Sequence, residues 1–258
     1  MLTVHRSPSF AVLAAALALS ACTIVNAASV TEEVDRTVPL SADGSVSVSN
    51  VNGKIDVSTW ERNEVRIRAI KSAESKAKLD ETEVRIETGA DSVTVKTELP
   101  RHGSASVNYE ISAPAGADVR VDTVNGHIRM TGAYGDVRAH SVNGGVNAAG
   151  LSGDTKIDTV NGGVEAVYAQ APSAGSHQFH SVNGSLEVLL PSSPDASFRA
   201  HTVNGGIRTD FALEVRKARF GPTSSMDGTL GSGAAKFELD TVNGAIRILN
   251  GTAAASVR

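Results

Sequence analysis

Seven residues of this 258-residue sequence recur at one position of a short repeat and carry side chains suited to chemistry. They are Ser49, Asp122, His140, Asp158, His180, His201 and Asp240, each three residues before the asparagine of a Val-Asn-Gly tripeptide. Asp and His are ligands for divalent metals, and a protonated imidazole beside a carboxylate is mutually stabilising. Alternation with apolar neighbours places the column on an outer face. Stacking in chain order then holds Asp122, His140, Asp158, His180 and His201 in a line about 4.8 Å apart, and these five form a candidate metal or ligand column. A flat line lacks the convergence of a metal centre. The plainer reading, an exposed polar row in which Asp and His relieve like-charge repulsion, outweighs it, and no metal is assigned.

One residue nearer the turn lies a second column, Asn50, Thr123, Ser141, Thr159, Ser181, Thr202 and Thr241. A nucleophilic hydroxyl needs a base and an oxyanion site gathered around one copy. Nothing singles out a copy here, and an active site is singular, so these side chains read as partners for turn backbone. The sequence has no Gly-x-Ser-x-Gly elbow, no His-Glu-x-x-His and no Gly-x-x-x-x-Gly-Lys phosphate loop. Gly228, Gly231 and Gly233 are in the wrong order for a dinucleotide fingerprint and read as a flexible bend. Arg129, Arg208 and Arg247 are scattered among Glu165 and Glu187, which leaves no basic patch. With a formal charge of -4 and only 6 Phe, 3 Tyr and 1 Trp, the chain lacks the positive face and stacking platforms that nucleic acids require. No enzyme and no cofactor is expected.

The single cysteine, Cys22, is different in kind. It ends the run Leu19-Ser20-Ala21-Cys22, behind a short basic stretch (His5, Arg6) and an apolar segment from Phe10 to Leu19. That segment falls short of the about 20 residues that span a hydrocarbon core and fits the apolar region of an export signal. The run resembles the lipobox of bacterial lipoproteins, Leu-(Ala/Ser)-(Gly/Ala)-Cys. The resemblance implies that Cys22 is lipidated and becomes the mature N-terminus, and more than one acyl chain anchors firmly. Thr23 and Ile24 put no Asp beside the cysteine, which by the same resemblance implies an outer-membrane lipoprotein facing the periplasm or the cell surface. Cleavage after Val25-Asn26-Ala27, giving a soluble periplasmic or secreted protein, is the competing expectation. One cysteine also excludes a disulfide framework and a zinc site built on paired thiolates.

A repeat positions these columns. Val-Asn-Gly occurs seven times, with Asn52, Asn125, Asn143, Asn161, Asn183, Asn204 and Asn243 separated by 73, 18, 18, 22, 21 and 39 residues. The middle gaps set a period of 18–22, of which 39 is about two and 73 close to four of the shortest. Three residues after each asparagine stands an aliphatic residue, from Ile55 and Ile128 to Ile246. Four before it, from the second copy onward, stand Val121, Ala139, Ile157, Phe179, Ala200 and Leu239. Apolar columns separated by polar positions are period-2 strands on either side of a turn. Asn-Gly tolerates positive φ and bends the chain at small steric cost.

In isolation Asn-Gly signals a hairpin. Recurring at near-constant spacing it marks one corner of successive coils, in which seven asparagines stack into a structural ladder. The expected fold is all-β, a single-domain parallel β-solenoid (β-helix) with coils of about 18–22 residues. Residues 1–21 read as signal peptide, 22–30 as tether, 31–115 as N-terminal coils and cap, 116–250 as the regular solenoid and 251–258 as a tail. Ser72 to Leu79 reads as a short helix or excursion, 211–234 as a break in the pattern that carries a loop, and Trp60, Tyr134 and Tyr168 as turn or cap packing.

The Thr-Val-Asn-Gly-Gly-Ile/Val pattern resembles a bacterial domain-of-unknown-function family of putative adhesins. So do Ile111-Ser112-Ala113-Pro114 leading into Val119-Arg120-Val121-Asp122, and Gly231-Ser232-Gly233 before the last copy; together they cover roughly residues 40–250. The resemblance implies a parallel β-solenoid on an exported protein and names no ligand. The function expected is a non-catalytic, lipid-anchored envelope protein whose solenoid serves as a binding or scaffolding surface. Its partners are the membrane, through the N-terminal lipid, and an envelope protein or polysaccharide. Two alternatives stay open. One is a polysaccharide-acting β-helix enzyme, which needs a carboxylate or Arg/Lys cluster with aromatic platforms in one groove. The other is an envelope-stress sensor or regulatory partner of a membrane complex.

Overall fold

The computed structural model describes residues 25–26, 29–99, 105–217 and 221–251. Cys22, the export segment and the residues after Gly251 lie outside the described residues. The described chain is all-β apart from one short helix, Lys76–Asp80, and contains no helix long and apolar enough to cross a membrane. Its strands form two eleven-stranded, mostly parallel sheets. The strand before each Asn-Gly joins one of them, the leading sheet, and the strand after it joins the other, the trailing sheet.

Period-2 alternation makes these segments strands. In Thr155–Asn161, Thr155, Ile157 and Thr159 are buried while Lys156 is exposed. From the leading sheet Val121, Ala139, Ile157 and Phe179, and from the trailing sheet Ile128, Val146, Val164 and Leu186, share one core, each at most 3% exposed. Register is parallel: Asn125, Asn143, Asn161 and Asn183 are partners in turn, as are Ile128, Val146, Val164 and Leu186. A slip of one residue would turn every inward side chain out, so the apolar columns hold this register.

The long gaps put no coils between the copies they separate. Asn52 lies directly beside Asn125, and Ile55 beside Ile128. The intervening residues extend both sheets beyond the first repeat. Ala105–Pro114, Glu64–Ala73 and Ser29–Pro39 continue the trailing sheet, while Ser92–Glu98 and Glu83–Thr88 continue the leading one. The stretch 211–234 carries strands as well as irregular turns. Val215–Lys217 and Ser224–Leu230 are antiparallel strands added outside Ala196–Asn204.

The chain then crosses the start of Ala196–Asn204, and Ala235–Asn243 inserts on its other side, next to Gly175–Asn183. Ala196 is the partner of both Leu230 and Ala235, so the crossing is short. Asp195 fastens it, accepting from Ser232 Oγ at 2.8 Å and from the Gly233 amide at 2.7 Å. The Ser232 hydrogen bond in turn holds the Asp195 carboxyl below its ordinary range. What reads in the sequence as a flexible bend is a clamped crossing. The repeats stack in the order Asn52, Asn125, Asn143, Asn161, Asn183, Asn243, Asn204.

A further expectation changes. Of the seven turn glycines only Gly53 has positive φ. The others are glycine because a Cβ on Gly126, Gly144, Gly162, Gly184, Gly205 or Gly244 would lie 1.9–2.2 Å from the carbonyl oxygen of the adjacent turn glycine. Tyr134, in the turn between Ile128–Thr131 and Val137–Asn143, and Tyr168, at the end of strand Val164–Tyr168, are both fully buried core. Tyr134 donates its hydroxyl to Val57 O at 2.8 Å, and Tyr168 meets His177 and Phe237 edge-on. Trp60 does pack at a turn, donating Nε1 to Glu64 O at 2.7 Å under the Arg62 guanidinium.

Adjacent glycines test the close-approach argument. Gly205→Ala drives a Cβ into the Gly244 carbonyl, whereas Gly206 meets nothing within 4 Å. In urea unfolding, Gly205→Ala should cost roughly 1–3 kcal/mol, and Gly206→Ala should be neutral or stabilising by about 0.4–1 kcal/mol. Equal effects would refute it. The core also predicts a pH response. His177 is fully buried, stacked 4.6 Å from Phe237, and burial pushes its pKa below the ordinary value. The unfolded chain therefore binds the extra proton first. This group's contribution is intact above about pH 6.5 and lost progressively below it. His177→Phe should flatten the acid side of the stability–pH curve, and an unchanged curve would show the loss lies elsewhere.

Candidate functional site

At the turns, each asparagine amide bonds its neighbour. Asn125 Nδ2 donates to Asn52 Oδ1 at 2.9 Å, Asn143 to Asn125 at 2.8 Å, and Asn161 to Asn143 at 2.9 Å. Asn183 donates to Asn161 at 2.9 Å, Asn243 to Asn183 at 2.8 Å and Asn204 to Asn243 at 2.8 Å. Every amide donates in one direction, and Asn52 ends the run on Ala105 O at 3.2 Å. The hydroxyl column lies beside this ladder and faces inward. Ser141, Thr159 and Ser181 donate to the carbonyls of Gly126, Gly144 and Gly162, each the turn glycine of the preceding repeat, at 3.0–3.2 Å. At the first repeat Asn50 takes this role, its Nδ2 reaching Val107 O at 2.8 Å. Thr202 and Thr241 likewise reach turn glycine carbonyls, so five of these hydroxyls are occupied in joining repeats, while Thr123 Oγ1 is buried without a partner.

The outer face of the leading sheet carries the Asp/His column, in an order the sequence does not show. Across the strands it reads Ser49, Asp122, His140, Asp158, His180, Asp240, His201. His180 and His201 are not neighbours, because Asp240 lies between them. The five-residue line expected from chain order is instead six residues in strict alternation. His180 Nδ1 comes within 3.7 Å of Asp240 Oδ2. Desolvation raises the pKa of Asp240 above its ordinary value, with the His180 charge opposing. Among the described residues no three Asp, Glu, His or Cys groups converge on a point that could hold a metal.

Two more rows flank this one at the two-residue spacing of a strand face. On one side Arg120, Arg138 and Lys156 are in-register partners, and Arg120 Nε turns back to Asp122 at 2.8 Å. On the other side run the valines of Val-Asn-Gly. Val124, Val182, Val203 and Val242 are 38–41% exposed and are the exposed large apolar side chains among the described residues. A shallow groove of about 410 Å³ follows the boundary between the valine and Asp/His rows, lined by His180, Val182, His201, Val203, Asp240 and Val242.

The sequence pattern of one family, Toastrack DUF4097, matches residues 18–249. The chain belongs to that family. No curated protein matches it. Among solved structures it is similar to a putative cell adhesion protein from Clostridium sporogenes at 13% identity and a TM-score of 0.49, over 86% of this chain and 100% of that one. It is also similar to a putative adhesin from Bacteroides fragilis at 8% identity and a TM-score of 0.32, over 84% and 96% of the two chains. A putative lipid binding protein from Parabacteroides distasonis is 11% identical with a TM-score of 0.27, over 84% and 96%.

In this Toastrack chain, sequence reasoning missed the valine row and the place of Asp240. The signal for the second was present: the Asp/His alternation breaks at His180 and His201, and the last copy supplies the missing Asp. The first was hidden because a valine beside Asn-Gly looks like ordinary strand composition. The asparagine ladder makes its own prediction. Asn161→Ala removes one bond given and one received, both 2.9 Å, and should cost about 1–3 kcal/mol in urea unfolding. Asn204→Ala removes a single bond and should cost about 0.5–1.5 kcal/mol. A larger loss at Asn204 would contradict the ladder.

Proposed function

We propose that this chain is an exported, non-catalytic envelope lipoprotein in which a parallel β-solenoid, with coils of about 18–22 residues, presents a flat surface for binding or scaffolding. The observation that carries the reading is the valine row. Val124, Val182, Val203 and Val242 stand exposed on one face at one repeated position, although the Asn-Gly turn beside them needs no apolar residue there. Exposed apolar side chains gathered on one face mark interaction sites, where scattered ones mean nothing. Parallel register between successive repeats supports the solenoid.

Cys22, at the end of Leu19-Ser20-Ala21, is the residue that would carry the lipid and make the membrane a partner. An envelope protein or polysaccharide is the partner class proposed for the flat face, and nucleic acid is not. Palmitate labelling and cell fractionation test the anchor: the wild-type chain should be labelled and membrane-bound, and Cys22→Ala should lose both properties. Label and membrane association retained by Cys22→Ala would remove the lipoprotein reading. Turnover of any envelope polysaccharide by the purified chain would overturn the non-catalytic one.

A further inference from the structure

The face that carries the valine row has a second property, visible only in the folded order of the repeats. Its polar row runs Asp122, His140, Asp158, His180, Asp240, His201. A row of even length in strict alternation, acid at one end and base at the other, is complementary to its own reversal. Consider a two-fold axis lying in this face, parallel to the strands, between Asp158 and His180. It sets a second copy against the first with the row reversed. Asp122 then faces the partner's His201, His140 faces the partner's Asp240, and Asp158 faces the partner's His180. Chain-order stacking would instead put Asp122 opposite Asp240 and His140 opposite His201, like against like. Inserting the last repeat is what makes the row self-complementary.

The flanking rows fit the same operation. Valine meets valine, with Val160 opposite the partner's Val182. In the basic row Arg138 meets the partner's Glu238, and Lys156 meets the partner's Gln178. The remaining pair, Arg120 and the partner's Arg199, is like-charged. Each of these arginines is already neutralised within its own chain, Arg120 by Asp122 at 2.8 Å and Arg199 by Asp227 at 3.3 Å. We propose that the leading-sheet face of this chain docks a second copy of itself, across the valine row and the alternating Asp/His row, about a two-fold axis parallel to the strands. The proposal rests on the reading of this face as a binding surface and names its occupant.

Six strands about 4.8 Å apart and three rows about 6.8 Å apart give roughly 600 Å² per protomer, the low end of specific interfaces. The pair is therefore weak in solution and strengthened wherever copies are held together, as on one membrane. A carboxylate attracts an imidazolium more strongly than a neutral imidazole, so mildly acidic solution favours the pair. The titratable and charged groups on this face are the six of the alternating row, Arg120, Arg138, Lys156, Glu238 and Arg199 beside it, Asp118, Asp136, Asp154 and Lys236 in the next row, Arg85 and Lys96 beyond Ser49, and Arg216 and Asp227 beyond His201 and Arg199.

Sedimentation velocity of the purified chain, from about 5 to about 300 μM at pH 6 and pH 8, tests this. The wild type should shift reversibly from monomer to dimer, more strongly at pH 6. His140→Asp puts a carboxylate opposite Asp240, and Asp240→His puts an imidazole opposite His140. Each variant alone should associate at least about tenfold more weakly while keeping its melting temperature within a few degrees. An equimolar mixture of the two restores all six opposite pairings and should dimerise like the wild type, as should the double variant His140→Asp/Asp240→His. Single variants that associate as the wild type does, or a mixture that does not recover, would overturn the proposal. A wild-type monomer throughout overturns it too, and cross-linking in cells then tells which reading failed. Cross-links to another envelope component that are lost in Val182→Lys leave the binding surface standing with a different occupant, and their absence removes the binding surface as well.

Discussion

An asparagine amide can bond the asparagine of the next repeat only when the two strands are in register, and the rest of the molecule is set against that bond. The same register lets inward hydroxyls reach a turn glycine carbonyl one repeat away, as Thr159 reaches Gly144 at 3.0 Å. It also brings adjacent turns so close that a methyl group on Gly162 would lie 2.2 Å from the Gly144 oxygen. Side-chain amide, hydroxyl and missing Cβ are three parts of one contact. Their joint requirement explains why the same short tripeptide recurs while the residues between copies vary.

The inserted last repeat makes contacts on three layers. In the core, Phe237 fills the space between His177 and Phe198, with ring centroids 4.6 and 5.0 Å away. On the outer face of the leading sheet Asp240 separates two histidines. On the trailing sheet Arg247 meets Glu187 at 3.2 Å. Stacking the sixth repeat directly on the fifth would put Phe198 beside His177 and Arg208 beside Glu187, much as Phe237 and Arg247 stand now, but would bring His180 against His201. The cap of antiparallel strands, 215–217 and 224–230, then closes the edge that the insertion leaves outermost, which protects it from further strand pairing.

Much of this was legible in the residues. Alternation of Val121, Ala139, Ile157 and Phe179 with polar neighbours gives inward and outward faces without any knowledge of the fold, because the side-chain period of a strand is a local property. The expected spacing of copies failed where the chain left the repeat. The 73-residue gap holds one further parallel pair of strands, Ser92–Glu98 and Ala105–Pro114, together with antiparallel strands and a helix, and all of it lies outside the first repeat. Positive φ, assumed for every turn glycine, holds only for Gly53. Sequence alone offers two reasons for a glycine, its own backbone or a neighbour's approach, and the second depends on a contact 18 or more residues away.

The sequence by itself determined the strands, their faces, the turn chemistry and the identity of the outward rows. Each depends only on side chains a few residues apart. The order in which the strands stand was decided by the tertiary structure, because any in-register Val-Asn-Gly strand presents the same backbone edge to any other. Choice among them falls to side chains that meet only after folding, as Asp240 meets His180 where His201 would otherwise stand. That choice turns a broken series of acids and bases into a continuous alternating row, and with it gives the face its complementarity.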